Sequence, residues 1–148
     1  MGTVNLGNLF RRPYGPGWAL VGDASYHKDP FTAQGMTDAF RDAELLSDAI
    51  DEGFSGRGDL EAALAGYEQT RNAAIMPIYD FTCQLAAMDP LPPQMQQLFG
   101  ALRGNQAATN RFFGMIAGTT SIPEFFAPES IGRIMADAAQ LSPTGTPA

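Results

Sequence analysis

The sequence predicts a mainly α-helical protein that begins with a short strand-loop-helix unit. Three observations predict this class. A short apolar run ends in the pair Gly22-Asp23, and apolar residues from Met36 onward recur every three or four positions, the period of a helix. Gly and Pro residues divide the rest of the chain into segments of helical length. We therefore expect a strand-loop-helix unit over 17–52 and a helical region over 59–141, within one domain or fragment of 148 residues.

The first element is a strand in the stretch 17–24. Residues 1–16 contain Gly and Pro without periodicity and predict a loop that leads into it. A single strand has two unpaired edges and cannot bury Trp18 alone. Either a partner chain or a second copy completes the sheet, or the strand is poorly ordered. Residues 25–34, which include Pro30, predict another loop.

Two long helices follow. The first is expected over 36–52, with Thr37 and Asp38 as caps or first-turn acids and Gly53 as its end. Asp59 is expected to cap the second, which Pro77 would kink. The apolar stripe that indicates the first helix is Met36, Phe40, Ala43, Leu46, Ala49 and Ile50. Tyr67 and Arg71 are expected to pack the two helices together, with the Arg71 stem covering apolar surface.

Shorter helices are predicted over 93–103, 105–118 and 128–140. Ser121 and Glu124 have the spacing of a capping box for one further turn. Met and Phe residues over 95–126 favour a packed core, with the wall of a substrate pocket as the alternative. The last residues, 142–148, have the composition of a disordered tail.

Composition narrows the class of protein. The chain has 16 acidic and 9 basic residues, a net charge of −7, which argues against nucleic acid or an anionic membrane surface as main partner. No apolar run is long enough to span a membrane, and the N-terminus lacks the layout of a secretory signal. One cysteine, Cys83, favours the cytoplasm. The single histidine, His27, is expected in an exposed loop, and no metal-binding set can be assembled.

The string GWALVGDASYHKDPFTAQGMTDAFRDAELL carries a resemblance to a known family. It resembles the second flavin-binding motif of FAD-dependent aromatic-hydroxylase-type monooxygenases, the para-hydroxybenzoate hydroxylase superfamily. The residues that carry the resemblance are Gly22-Asp23-Ala24, Pro30 and Gly35-Met36, followed by Asp38 and Asp42. The resemblance covers about 30 residues at the family's spacing. It implies FAD as cofactor, and an enzyme that oxygenates an organic small-molecule substrate with NAD(P)H and O2.

The resemblance assigns roles to single residues. Asp23 would accept a hydrogen bond from a ribityl hydroxyl, and Gly22 would let the backbone approach the ligand. Pro30 would shape the loop over the flavin ring. The N–H groups of Gly35 and Met36 would face the pyrimidine end of the isoalloxazine, where the helix dipole stabilises negative charge. Two positions depart from the family, which often has Gly in place of Ala33 and Asn in place of Thr37.

The family's dinucleotide-binding sequence, Gly-x-Gly-x-x-Gly, does not occur in these residues. The chain therefore resembles the carboxy-terminal portion of such an enzyme, and no residue is assigned as catalytic. A flavin-dependent halogenase or reductase fits the same motif. A different interpretation is a non-catalytic helical module that packs against a partner chain. For Asp23 alone, the alternative to flavin contact is an acid that caps a helix or turn. Cys83, with no nearby base to activate it, is expected to be a buried, inert thiol.

Overall fold

A computed structural model describes residues 7–141. It is mainly α-helical with a short N-terminal strand region, which confirms the predicted fold class. The chain divides into two compact units, one up to Met88 and one from Asp89. None of the helices within the described residues combines the length and the apolar character needed to cross a bilayer.

The first unit opens with four strands of two residues each. Strand β1 (Leu9–Phe10) pairs antiparallel with β4 (Tyr26–His27), and β2 (Tyr14–Gly15) pairs antiparallel with β3 (Trp18–Ala19). The strand expected over 17–24 is thus reduced to β3, because the chain turns at Gly22–Ala24 into a 3₁₀ helix. Both loop predictions were too simple, since 1–16 contains β1 and β2, and 25–34 contains β4 and a second 3₁₀ turn, Pro30–Thr32.

Helix α1 (Gly35–Phe54) is present, one residue earlier and two residues later than the prediction. The side that it buries carries Asp38, Asp42 and Ala49. Asp38 is therefore a buried acid of the first turn and not a solvent-facing cap. The predicted apolar stripe is divided between the two sides, since its member Ala49 is buried whereas Met36 and Phe40 lie in solvent, 79% and 77% exposed.

Helix α2 (Leu60–Ala86) packs along α1. Asp59 caps it as predicted, since its Oδ2 accepts a hydrogen bond of 2.9 Å from the N–H of Ala62. The helix continues through Pro77, and the bend expected there stays a prediction. The core of this unit contains large side chains from β4 and α2, namely Tyr26, Tyr67, Ile75, Ile78 and Phe81.

The second unit contains four helices: α3 (Pro93–Leu102), α4 (Gln106–Ile116), α5 (Ile122–Phe125) and α6 (Pro128–Leu141). Ser121 caps α5, because its Oγ accepts the N–H of Glu124 at 3.2 Å. The Phe112 ring lies edge-on to Phe99 and Phe125, with centroids 5.6 and 5.7 Å away. Phe125 and Met115 are buried, as the core interpretation expects, whereas Phe113 of the same set is 60% exposed. The predicted tail, 142–148, lies outside the described residues.

Candidate functional site

The predicted flavin motif converges where the first 3₁₀ turn meets the beginning of α1. A Cβ atom placed on Gly35 would lie 3.9 Å from Oδ1 of Asp23. Asp23, Gly35 and Met36 are all exposed. The first N–H groups of an α-helix have no partner inside the helix, and they carry the positive end of its dipole. One exposed corner therefore presents a carboxylate acceptor and a set of backbone donors side by side.

Gly22 brings the turn against α1. Its φ is +57°, a conformation that favours glycine, and an added Cβ would lie 3.0 Å from the Cβ of Ala39. The carbonyl of Gly22 accepts hydrogen bonds from the N–H and the Oγ of Ser25, at 2.8 and 2.9 Å. Close packing on one side and these bonds on the other fix the backbone from which Asp23 and the exposed Ala24 project.

Pro30 begins the second 3₁₀ turn, which α2 anchors. The Asp29 carboxylate accepts the N–H of Phe31 at 3.0 Å, and Thr32 Oγ1 is 2.8 Å from Thr82 Oγ1 in α2. Pro30 itself is exposed. The turn ends at Ala33 with φ +54°, which explains in physical terms why a glycine suits this position. Pro30 is thus in a loop that is held against α2.

A buried charge cluster lies beneath the loop that joins the two halves of the motif. Lys28 forms an ion pair with Asp38. Arg41 is 3.1 Å from Oδ1 of Asp38 and 3.2 Å from Oδ1 of Asp42. Lys28 and both carboxylates are buried. Since Lys28 belongs to the loop and the carboxylates to α1, the cluster holds the loop on the helix.

Aromatic groups complete this cluster. Arg41 donates to the Tyr26 hydroxyl at 2.9 Å, and the fully buried Arg71 guanidinium lies 4.9 Å from the ring centroid of Phe10 and 5.2 Å from that of Tyr26. Burial raises the pKa of Tyr26 far above its usual value, and Asp38 and Asp42 raise it further. Arg71 is therefore buried along its whole length, where only its stem was expected to cover apolar surface.

Burial opposes the charge of Arg41, but its neighbours outweigh that effect. Desolvation alone would lower the pKa of Arg41, whereas Tyr26, Asp38 and Asp42 raise it above its usual value. Burial also raises the pKa of Tyr67, and Asp42 adds to the rise. The Tyr67 hydroxyl donates to the carbonyl of Leu20 at 2.8 Å, just before the Gly22 turn. Tyr67 of α2 therefore holds the segment just before the Gly22 turn, and the charge cluster holds the loop after it on α1.

This cluster was not predicted, although the sequence carries a signal for it. Asp38, Asp42, Leu45 and Ala49 are four or three residues apart and share one face of a helix. Two acids in line with apolar residues indicate carboxylates that are buried and paired. The helix was predicted instead from the apolar stripe that begins with Met36 and Phe40, and both of these residues are exposed.

The burial of His27 and of Cys83 differs from the prediction. His27 is half-buried in β4, and not in an exposed loop; its Nδ1 lies 3.4 Å from the carbonyl of Gly7. Cys83 is a free thiol that is half-buried, and not fully buried. Within residues 7–141, no three His, Cys, Asp or Glu side chains are grouped so as to hold a metal ion.

Two open cavities of about 330 Å³ lie elsewhere in the first unit. One lies between the β2-β3 hairpin and the start of α2, where Arg12, Tyr14 and Glu61 line it. The other follows the groove between α1 and α2, where Asp48, Glu52 and Tyr67 line it. Gly17 and Leu45, near the two ends of the stretch that resembles the flavin motif, line one cavity each, whereas the residues assigned to flavin contact, Gly22, Asp23, Ala24, Pro30, Gly35 and Met36, line neither.

Comparison with models of protein families, with curated proteins and with solved structures found no match to this chain.

Proposed function

We propose that this chain is the flavin-contacting, carboxy-terminal portion of an FAD-dependent monooxygenase of the aromatic-hydroxylase type. Such an enzyme would use NAD(P)H and O2 to hydroxylate an organic small molecule in the cytoplasm. The proposal rests on the resemblance over residues 17–46 and on one structural observation that supports it. That observation is the position of the Asp23 carboxylate beside Gly35, at the open start of α1.

The local geometry fits the roles that the resemblance assigns. Asp23 is exposed, so its carboxylate is accessible to a ribityl hydroxyl, and a hydrogen bond to an ionised acceptor is among the stronger ones. The N–H groups of Gly35 and Met36 belong to the first turn of α1, beside the Asp23 carboxylate. Because Gly35 has no side chain, a flat ring would have room there. A bound flavin would supply the redox chemistry, and the residues of this chain would orient it.

These residues would contact only the ribityl and isoalloxazine parts of FAD. The ADP half needs a Gly-x-Gly-x-x-Gly unit, which the 148 residues do not contain. A partner chain or further sequence would therefore complete the cofactor site and supply the substrate pocket. The same corner would serve a flavin-dependent halogenase or reductase, since these differ in what they bind beyond the flavin.

A non-catalytic helical module is the second candidate, and the exposed Met36 and Phe40 favour it. In that case Asp23 would only stabilise the beginning of α1 through the helix dipole. The two functions make opposite predictions about flavin. If the corner is a flavin site, FAD and riboflavin should bind with similar affinity, because the adenine half makes no contact with this chain.

The experiment is a titration of the purified chain with FAD and, separately, with riboflavin, followed by the visible absorption band of the flavin. The flavin proposal predicts a saturable shift of that band with both ligands, and co-elution of the yellow colour with the protein on gel filtration. A colourless protein with no shift for either ligand at saturating concentrations would contradict it and favour the helical module.

A further inference from the structure

The outer side of α1 carries an apolar stripe, interrupted by Ser47, that the first unit leaves in solvent. Its members, Met36, Phe40, Ala43, Ile50 and Phe54, recur every three, four or seven residues, so they share one face of the helix. Met36, Phe40 and Phe54 are 79%, 77% and 77% exposed, and Ile50 is 36% exposed. A helix of 20 residues is about 30 Å long, so the stripe runs almost its full length.

The size of this stripe exceeds that of scattered surface residues. A buried aromatic side chain covers roughly 150–250 Å². Phe40 and Phe54 therefore leave on the order of 200–400 Å² of apolar surface in solvent, and the exposed Met36 adds to it, so the stripe is comparable to the largest patch on a typical monomer. The largest apolar patch on a monomer is often a functional surface.

One edge of the stripe is acidic and the other is uncharged. Glu44, Asp48 and Asp51 lie along one edge, and all three are exposed. The opposite edge carries the uncharged residues Ala39, Leu46 and Gly53. Asp51 forms an exposed ion pair with Arg57, which follows the end of α1. The surface is thus an apolar band with negative charge along a single side.

This asymmetry argues against a second copy as the occupant. In an antiparallel symmetric pair of α1 helices, the twofold axis places the acidic edge of one copy beside the acidic edge of the other. In a parallel pair, the acidic edge meets the uncharged edge with Ala39, Leu46 and Gly53. Neither arrangement brings a cation of α1 to Glu44, Asp48 or Asp51, whereas complementary charge is what sets the register of an interface.

We propose that the outer face of α1 docks an amphipathic helix of another polypeptide segment, with an apolar face and a row of Lys or Arg along one edge. Helix-on-helix packing suits a straight stripe of this length. The exposed aromatic rings of Phe40 and Phe54 anchor the contact, and the acidic edge selects and orients the partner. The stripe shares Met36 with the proposed flavin corner, but the side chains varied below, Phe40, Glu44 and Asp48, lie outside that corner, so the test requires no flavin.

The probe is a synthetic amphipathic helix of about 20 residues, long enough to cover the stripe. It has leucines on one face and lysines along one edge, and a matched peptide has glutamates in place of the lysines. Binding to the full chain is measured by fluorescence anisotropy of the labelled peptides, at low and at high salt. We expect the lysine peptide to bind, the glutamate peptide to bind at least tenfold more weakly, and added salt to reduce the difference.

Variants test whether the stripe itself is the docking surface. Phe40→Ser should weaken binding of the lysine peptide on the order of tenfold, as expected of an interface anchor. Phe113→Ser is the matched control, because Phe113 is 60% exposed but belongs to α4 in the second unit. Glu44→Gln with Asp48→Asn should weaken binding severalfold and flatten the salt dependence.

Three results would overturn the proposal. The two peptides could bind equally, which would remove the role of charge, or Phe40→Ser and Phe113→Ser could have equal effects, which would remove the role of α1. A chain that dimerises on analytical ultracentrifugation, and that becomes monomeric on Phe40→Ser, would show that a second copy occupies the stripe.

Discussion

Asp23 and Gly35, twelve residues apart in sequence, meet at the beginning of α1. A Cβ on Gly35 would lie 3.9 Å from Oδ1 of Asp23, so the carboxylate lies beside the first turn of the helix. The Lys28–Asp38 pair holds the connecting loop on α1, and the hydrogen bond between Thr32, in the turn Pro30–Thr32, and Thr82 holds it on α2. The geometry of the candidate site therefore depends on the loop between Asp23 and Gly35, which the buried ion pair of Lys28 and Asp38 holds in place.

Close packing at Gly22 should make it the less replaceable of two glycines with positive φ. Gly22→Ala combines a left-handed backbone with a Cβ only 3.0 Å from that of Ala39. Gly17→Ala has a similar φ, +78°, but no atom within 4 Å. The left-handed conformation costs a residue with a Cβ about 1–2 kcal/mol, so Gly17→Ala should lose about that much free energy of unfolding and Gly22→Ala clearly more. Urea unfolding of both variants measures the difference, and equal losses would contradict the contact with Ala39.

The buried acid Asp38 should contribute far more to stability than an exposed acid with a similar partner. Asp38→Asn leaves the buried Lys28 without its counter-charge, and breaking a buried pair in this way costs about 3–5 kcal/mol. Asp51→Asn removes an exposed pair with Arg57 and should cost less than about 1 kcal/mol. Denaturant unfolding of the two variants provides the comparison. Similar losses would show that the cluster does not hold the loop on α1.

Tyr26 should make the protein less stable in alkaline solution. Its pKa is raised in the folded state by burial and by Asp38 and Asp42, so folding favours the neutral phenol. Its contribution is fully present below the unfolded pKa of about 10 and is lost as the pH rises from there toward the raised folded pKa. The loss approaches about 1.4 kcal/mol for each pH unit in that window.

Substitution of the phenol isolates this effect. Tyr26→Phe should flatten the decline of the unfolding free energy above about pH 10, although Tyr67, whose pKa burial also raises, keeps part of the slope. The measurement is urea unfolding at several pH values between about 8 and 11. A slope that is the same in Tyr26→Phe and in the original chain would mean that Tyr26 does not titrate on unfolding.

The sequence predicted the helices well, because their signals are local. The cap at Asp59, the cap at Ser121 and the Gly and Pro breaks act within a few residues, and the observed helices follow them closely. The strands were less predictable. Pairs such as Leu9 with His27 depend on contacts between segments far apart in the chain, which short polar stretches do not reveal.

The orientation of α1 could not be predicted from the spacing of its apolar residues. Periodicity reveals that Met36 and Phe40 share a face, but it does not say whether that face meets the core or a partner. Here the core takes the face with Asp38 and Asp42, because Lys28 and Arg41 neutralise both carboxylates. The positive charges that make this possible come from Lys28, in the loop after β4, and from Arg41 in α1 itself, so only the folded arrangement identifies the buried side.

The claim that the Asp23 carboxylate binds the flavin is tested by measuring the flavin affinity of Asp23→Ala and comparing it with that of His27→Ala. Loss of a hydrogen bond to a charged acceptor should cost about 1.5–3 kcal/mol, roughly a 10- to 150-fold weaker binding of riboflavin and of FAD. His27→Ala should change the affinity little, since its ring nitrogen faces the carbonyl of Gly7 and not the corner of Asp23 and Gly35. Equal affinities for Asp23→Ala, His27→Ala and the original chain would contradict the account.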